Sequence, residues 1–182
     1  GATAWFVYDY KQAQKPDDDK KAPESVVKDL FASKPTGVDR VEVTRKGSGK
    51  YVFRKEGDEW NLVEPIEAPA NEFELNSLVD RASGIKYTAA FQKDDKNRPS
   101  DEVTGFNNPE ATVKLYAGDK LVGDVIVGKR VPTGKGTYVR RADSDTVYEA
   151  SENLSTLVRD RLDDYRNKRV LKFDLKDVRR VK

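Results

Sequence analysis

An α+β fold with a largely antiparallel sheet, laid out as two strand-rich blocks each followed by a helix, is what this sequence predicts. Three observations lead there. Short stretches of alternating apolar and polar residues recur, as in VDRVEVTR and EWNLVEP, and glycine or proline turns close them. Each run of such stretches ends in a segment with apolar residues at helical spacing. No strand–helix–strand alternation appears, which argues against a parallel sheet built from βαβ units.

The elements follow in order. Residues 1–10 are apolar from Ala2 to Tyr8 and read as the remnant of an N-terminal membrane anchor, with Trp5, Tyr8 and Tyr10 as interfacial aromatics. The stretch is too short to span a bilayer, which takes about 20 apolar residues. A short strand or helix packed on the domain would use the same side chains. Residues 11–35 form a charged tether and a short helix, the helix at 24–33 with Val26, Val27, Leu30 and Phe31 on one face. Residues 36–182 form the α+β domain, in sub-blocks 36–91 and 110–182.

Within the first sub-block, Val41 and Val43 share one face of a strand. KGSGK turns the chain into KYVFRKE, and Gly57-Asp58 turns it again into EWNLVEP, where Trp60 and Leu62 point one way. Asn71 caps a helix carrying Leu75, Leu78, Val79 and Ala82, with Glu74 in the reciprocal position. IKYTAAFQ is extended, and 92–110 is a polar loop. The second sub-block repeats the plan with ATVKLYAGDK, LVGDVIVGKRV, GTYVRRADS and TVYEAS. A helix capped by Ser151 then carries Leu154, Leu157, Val158, Leu162 and Tyr165 on one face.

Composition narrows the function classes. The 182 residues hold 34 basic and 32 acidic side chains, a net charge of +2, with signs interleaved. No uniform field exists to hold nucleic acid, and no nucleic-acid partner is expected. Cys is absent, which removes disulfides, thiolate metal sites and cysteine nucleophiles. His is absent too, which removes the commonest general base and transition-metal ligand.

From about Val38 onward the residues carry a resemblance. DEWNLVEPIEAPAN, VTGFNNPEATVKLY, GDVIVGKRVPTGKGTYVRRADSDTVYEAS and RNKRVLKFDLKDVRRV follow one another in an order similar to the bacterial domain-of-unknown-function 4340 family. The most specific parts are Trp60 with Pro65, Gly105 with Pro109, and the block around Gly128 and Tyr138. The resemblance implies a bacterial envelope protein with one N-terminal transmembrane helix and an extracytoplasmic body, in some members encoded beside ABC-type transporters of the gliding-motility kind. It implies no catalytic residue.

Several constellations invite a chemical reading, and each has a plainer one. Gly128-Lys129-Arg130-Val131-Pro132-Thr133-Gly134-Lys135-Gly136-Thr137 is glycine-rich, but its spacing is wrong for a phosphate-cradling loop and no helix follows. It reads as a hairpin loop. Asp94, Asp95, Asp101 and Glu102 lie in the polar loop without the alternation of a calcium loop, and they read as solvated charge. Asp160 with Asp163 or Asp164 sits among Arg159, Arg161 and Arg166, which makes ion pairs the simpler reading than an acid–base dyad. Residues 151–182 hold ten basic and six acidic side chains, and the acids dilute any basic surface. Trp60 reads as core.

The expected function is therefore that of a non-enzymatic extracytoplasmic module, with no cofactor and no catalytic, cofactor-binding or metal-binding residues. It would be tethered to the inner membrane by an anchor outside this chain and would act by contact with envelope proteins, ABC transporter subunits among them. The alternative is a small-ligand or polysaccharide-binding envelope domain using Tyr87, Phe91, Asn97, Phe106, Asn107 and Asn108. At the C-terminus, Val178-Arg179-Arg180-Val181 repeats the rhythm of Val38-Asp39-Arg40-Val41. It either begins a second unit or pairs back onto the domain's own sheet, beside 39–45 or another strand, to close the first.

Overall fold

A computed structural model describes residues 27–167. The strands are β1 Lys28–Asp29, β2 Arg40–Arg45, β3 Gly49–Glu56, β4 Glu59–Glu64, β5 Ala68–Pro69, β6 Lys86–Phe91, β7 Ala111–Ala117, β8 Lys120–Arg130, β9 Thr137–Arg140 and β10 Val147–Ala150. All ten join one sheet in the order β1-β6-β10-β9-β8-β7-β2-β3-β4-β5. Every neighbouring pair is antiparallel. The helices among the described residues are α1 Glu72–Ser83 and the single turn α2 Asp101–Thr104.

This corrects the expected α+β class. The fold is one mostly antiparallel sheet with two helices, and among the described residues no α-helix follows the second strand block. The helix expected at 24–33 is also overturned for the described part, 27–33. There Lys28 and Asp29 pair with Tyr87 and Lys86, and bends follow that bury Leu30 and Phe31. The anchor-like residues 1–10 and the C-terminal repeat at 178–182 lie outside the described residues.

Period-two alternation sorts the sheet into two faces. The inner face carries Val41 and Val43 of β2, Phe53 of β3, Trp60 and Leu62 of β4, Val113 and Leu115 of β7, Val125 and Val127 of β8, and Val139 of β9. Against it pack Leu75, Leu78 and Ala82 from one stripe of α1. Asn71 caps α1 as the sequence predicts, its Oδ1 accepting from the Glu74 N–H at 3.1 Å. The Asn71 N–H donates to the Tyr165 carbonyl at 2.7 Å, however, and so ties the helix start to the end of the described chain.

The expected helix over 151–165 is replaced by turns and a short 3-10 helix, Leu162–Tyr165. The apolar positions there are buried as expected: Leu154, Leu157, Val158, Leu162 and Tyr165 all lie in the main core. What differs is where the backbone groups find partners. The Leu154 N–H donates to Thr137 Oγ1 at 2.8 Å, the Ser155 N–H to Asn153 Oδ1 at 2.9 Å, and the Arg159 N–H to Tyr165 Oη at 3.0 Å. Arg45 donates to the carbonyls of Ser155 and Val158, each at 3.3 Å, and Arg81 to that of Thr156 at 3.1 Å. Side chains from the sheet, from α1 and from the segment itself (Asn153, Tyr165) thus take over the role of intrahelical bonds, and the segment lies as a belt across the inner face.

Arg45→Met keeps the aliphatic stem and removes these donors together with the 2.8 Å ion pair to Asp160. Hydrogen bonds from charged groups contribute roughly 1.5–3 kcal/mol, so a loss of about 2 kcal/mol in urea unfolding is expected.

Tyr165 supplies a second test. Burial pushes its phenol up to about 12 from an ordinary 10.0. Below pH ~10 the phenol is protonated in both folded and unfolded chains, and its contribution is complete. Above that the unfolded chain ionises first, so stability falls as pH rises through the folded value, by roughly 3 kcal/mol in all. Tyr165→Phe is expected to flatten part of this alkaline limb in urea titrations run from about pH 9 to pH 11.

Candidate functional site

The outer face of the sheet over β3, β2, β7 and β8 is built from the polar half of the same alternation. Register places Arg40 between Arg54 and Tyr116, Glu42 between Val52 and Lys114, and Thr44 between Lys50 and Thr112. Lys114 in turn faces Asp124. Cross-strand pairs of this kind are the unit of sheet stabilisation.

Glu42 organises the face. Its carboxylate accepts from Arg40 at 2.8 Å and pairs with Lys50 at 3.7 Å. The Arg40 guanidinium lies over the Tyr116 ring, 4.1 Å from its centroid. Burial alone would lower the Arg40 pKa, but the bond and charge of Glu42, aided by Tyr116, outweigh it and leave the value raised. The Thr44 and Thr112 hydroxyls meet at 2.5 Å. Asp124 is buried, and its Oδ1 accepts from the Ala142 N–H at 3.2 Å. Arg54 and Lys114 stand exposed with no ion pair among the described residues. The face is a polar platform with one more basic than acidic side chain, Glu56 of β3 included, and among the described residues it holds no dyad or nucleophile–base pair.

Beyond β8 the outer face is covered. Phe106, Val131, Tyr138 and Val147 form a second, smaller core under the 92–110 loop, with Phe91 and Ile126 packed against it. The six residues of the ligand-binding alternative do not come together in one cleft. Phe106 is buried and Phe91 packs on its cluster, whereas Tyr87 packs on the main core with its ring 4.6 Å from that of Tyr148. Asn97, Asn107 and Asn108 are exposed on the loop.

The other constellations resolve as follows. The glycine-rich run is the loop of the β8–β9 hairpin, closed by the Val131 N–H donating to the Gly136 carbonyl at 3.0 Å. Asp95 accepts from the Asn97 N–H at 2.8 Å, while Asp101 and Glu102 occupy the first turn of α2 behind its Ser100 cap. Among the described residues no three of His, Cys, Asp and Glu are placed to hold a metal ion. Asp160 pairs with Arg45, Asp163 with Arg166 at 3.0 Å, and Asp164 approaches Arg159 at 3.9 Å. Trp60 is core, its indole N–H donating to Asn76 Oδ1 at 2.9 Å. No helix among the described residues is long and apolar enough to cross a membrane.

A family model described as a domain of unknown function, DUF4340, matches residues 60–182. The chain belongs to this family. Within this DUF4340 chain the match opens at Trp60, on β4, and takes in β7 and β8 of the platform; β2 and β3, which supply Arg40, Glu42 and Arg54, precede it. No curated protein and no solved structure matches the chain.

Proposed function

We propose that this domain is a non-enzymatic interaction module of a membrane-anchored bacterial envelope protein, working on the extracytoplasmic side of the inner membrane. One observation carries the reading: the outer sheet face, where Arg40, Lys50, Arg54 and Lys114 outnumber Glu42, Glu56 and the buried Asp124. A broad surface of fixed polar groups suits docking of a protein rather than turnover of a small molecule. The surplus of positive charge selects a partner surface rich in carboxylates. The envelope setting and a transporter partner are what the family resemblance implies, so subunits of an ABC-type transporter are the first partners to test.

The double variant Arg54→Glu, Lys114→Glu reverses the two unpaired charges without touching the core. Like charges set opposite each other across an interface disfavour it strongly. Copurification of the tagged full-length protein with its envelope partner is expected to fall at least tenfold. Undiminished recovery would place the contact elsewhere.

A further inference from the structure

The inner face of the sheet ends in a charged side chain at both ends, and the two ends differ. Arg45, following Val41 and Val43, spreads over the belt and finds three acceptors. Lys55, following Tyr51 and Phe53, points inward by the same alternation at the opposite end, and its ammonium has neither hydrogen bond nor ion pair among the described residues. Its ammonium lies only near the Trp60 ring, 6.0 Å from the centroid. Lys55 is half-buried at this end of the sheet, so its ammonium reaches solvent and is available to a ligand.

A cleft of about 590 Å³ lies there. Lys55 and Trp60 line it from the sheet, and Lys34 from the segment that leads to β2. The third wall is a second stripe of α1, Asn76, Asp80 and Ser83, at four- and three-residue steps beside the core stripe. Its donors outnumber its acceptors. Asn76 Oδ1 is already used by the Trp60 indole N–H, which leaves its amide N–H groups for the cleft. Ser83 is 6% exposed, and its Oγ is buried with no partner. Buried hydroxyls rarely go unpaired. Among the described residues Lys34 carries no ion pair either, and Asp80 is the one carboxylate on the wall, with no partner there.

We infer that this cleft is a binding site for a small oxyanion-bearing molecule, a carboxylate or phosphate with neighbouring hydroxyl groups. Lys34 and Lys55 take the anionic oxygens, Asn76 and Ser83 donate to the same group or its neighbours, and Asp80 accepts from a ligand hydroxyl. The volume lies within the range of pockets that enclose small molecules. The site lies on the opposite side of the sheet from the docking platform, so its failure leaves that reading standing, and the reverse holds too.

Trp60 is a built-in reporter, because its indole N–H is bonded to a wall residue. In ¹⁵N-labelled protein, with its signal separated from that of Trp5 by a Trp5→Phe variant, three probes are titrated: inorganic phosphate, glucuronate and glucose. Saturable movement of the Trp60 indole resonance is expected with phosphate, glucuronate or both, and none with neutral glucose. The two anions distinguish a phosphate from a carboxylate site. The Lys34→Gln, Lys55→Gln variant, which leaves the core intact, is expected to weaken binding at least tenfold. Failure of both anions to move the resonance at millimolar concentration, or equal binding by that variant, overturns the inference.

Discussion

Gly128→Ala is expected to destabilise the domain strongly. A Cβ at Gly128 would stand 2.1 Å from the Thr104 carbonyl oxygen and 2.9 Å from the Phe106 ring. The first contact is with backbone, so no rotamer change relieves it. Either α2 lifts off β8, exposing Phe106 and the small outer core, or the β8 ladder breaks next to its irregular register before Arg130. Overpacking costs typically 1–3 kcal/mol, occasionally more, and losing the burial of Phe106 adds to it. A total of about 4 kcal/mol is expected, read as a fall in melting temperature of roughly 8–16 °C. The nearby Gly134, which nothing approaches within 4 Å, supplies the control: Gly134→Ala is expected to change stability by under about 0.5 kcal/mol.

Phe53→Ala is the second large effect. Phe53 is fully buried on β3, in edge contact with Tyr165 at 5.7 Å between ring centroids and tilted against Tyr51 at 6.1 Å. Truncating a buried Phe costs about 3–5 kcal/mol, because the neighbours only partly close the cavity. The contact with Tyr165 joins the sheet to the belt. A double-mutant cycle of Phe53→Ala with Tyr165→Ala is therefore expected to show coupling of roughly 0.5–1.5 kcal/mol. Additive losses would mean that the ring contact contributes nothing to holding the belt on the sheet.

Much of this architecture was legible in the sequence where the signal is local. Val41 with Val43 and Trp60 with Leu62 declare their strands by alternation, Asn71 declares its cap, and Gly57 and Gly118 take the positive φ their turns require. The belt was misread for a physical reason. Leu154, Leu157, Val158, Leu162 and Tyr165 have helical spacing, and the spacing does predict their burial. Whether a helix forms depends on competing partners for the backbone, and three of those, Arg45, Arg81 and Thr137, lie more than a dozen residues away. The place of β6 is equally non-local. It follows α1 in sequence yet pairs with β10 on the far side of the sheet, because α1 carries the chain across the inner face.

The two surfaces differed in legibility for the same reason. The platform residues occupy alternate positions on short strands, but only strand order shows that β7 lies beside β2 and so brings Lys114 opposite Glu42. The cleft draws on three separate stretches. Its clues in the sequence were an out-of-pattern Lys55 after Tyr51 and Phe53, and a polar stripe on α1 beside the apolar one.

The claim that the outer sheet face docks an envelope protein is tested most directly by photocrosslinking in intact cells. A photoreactive residue is placed at position 114, in the middle of the platform, and a second at position 66, where the exposed Ile66 lies near the β5 edge of the sheet. The expected result is a discrete adduct from position 114 with an integral or periplasmic envelope protein, absent from position 66. Adducts only with soluble cytoplasmic proteins, or equal labelling from both positions, would contradict it.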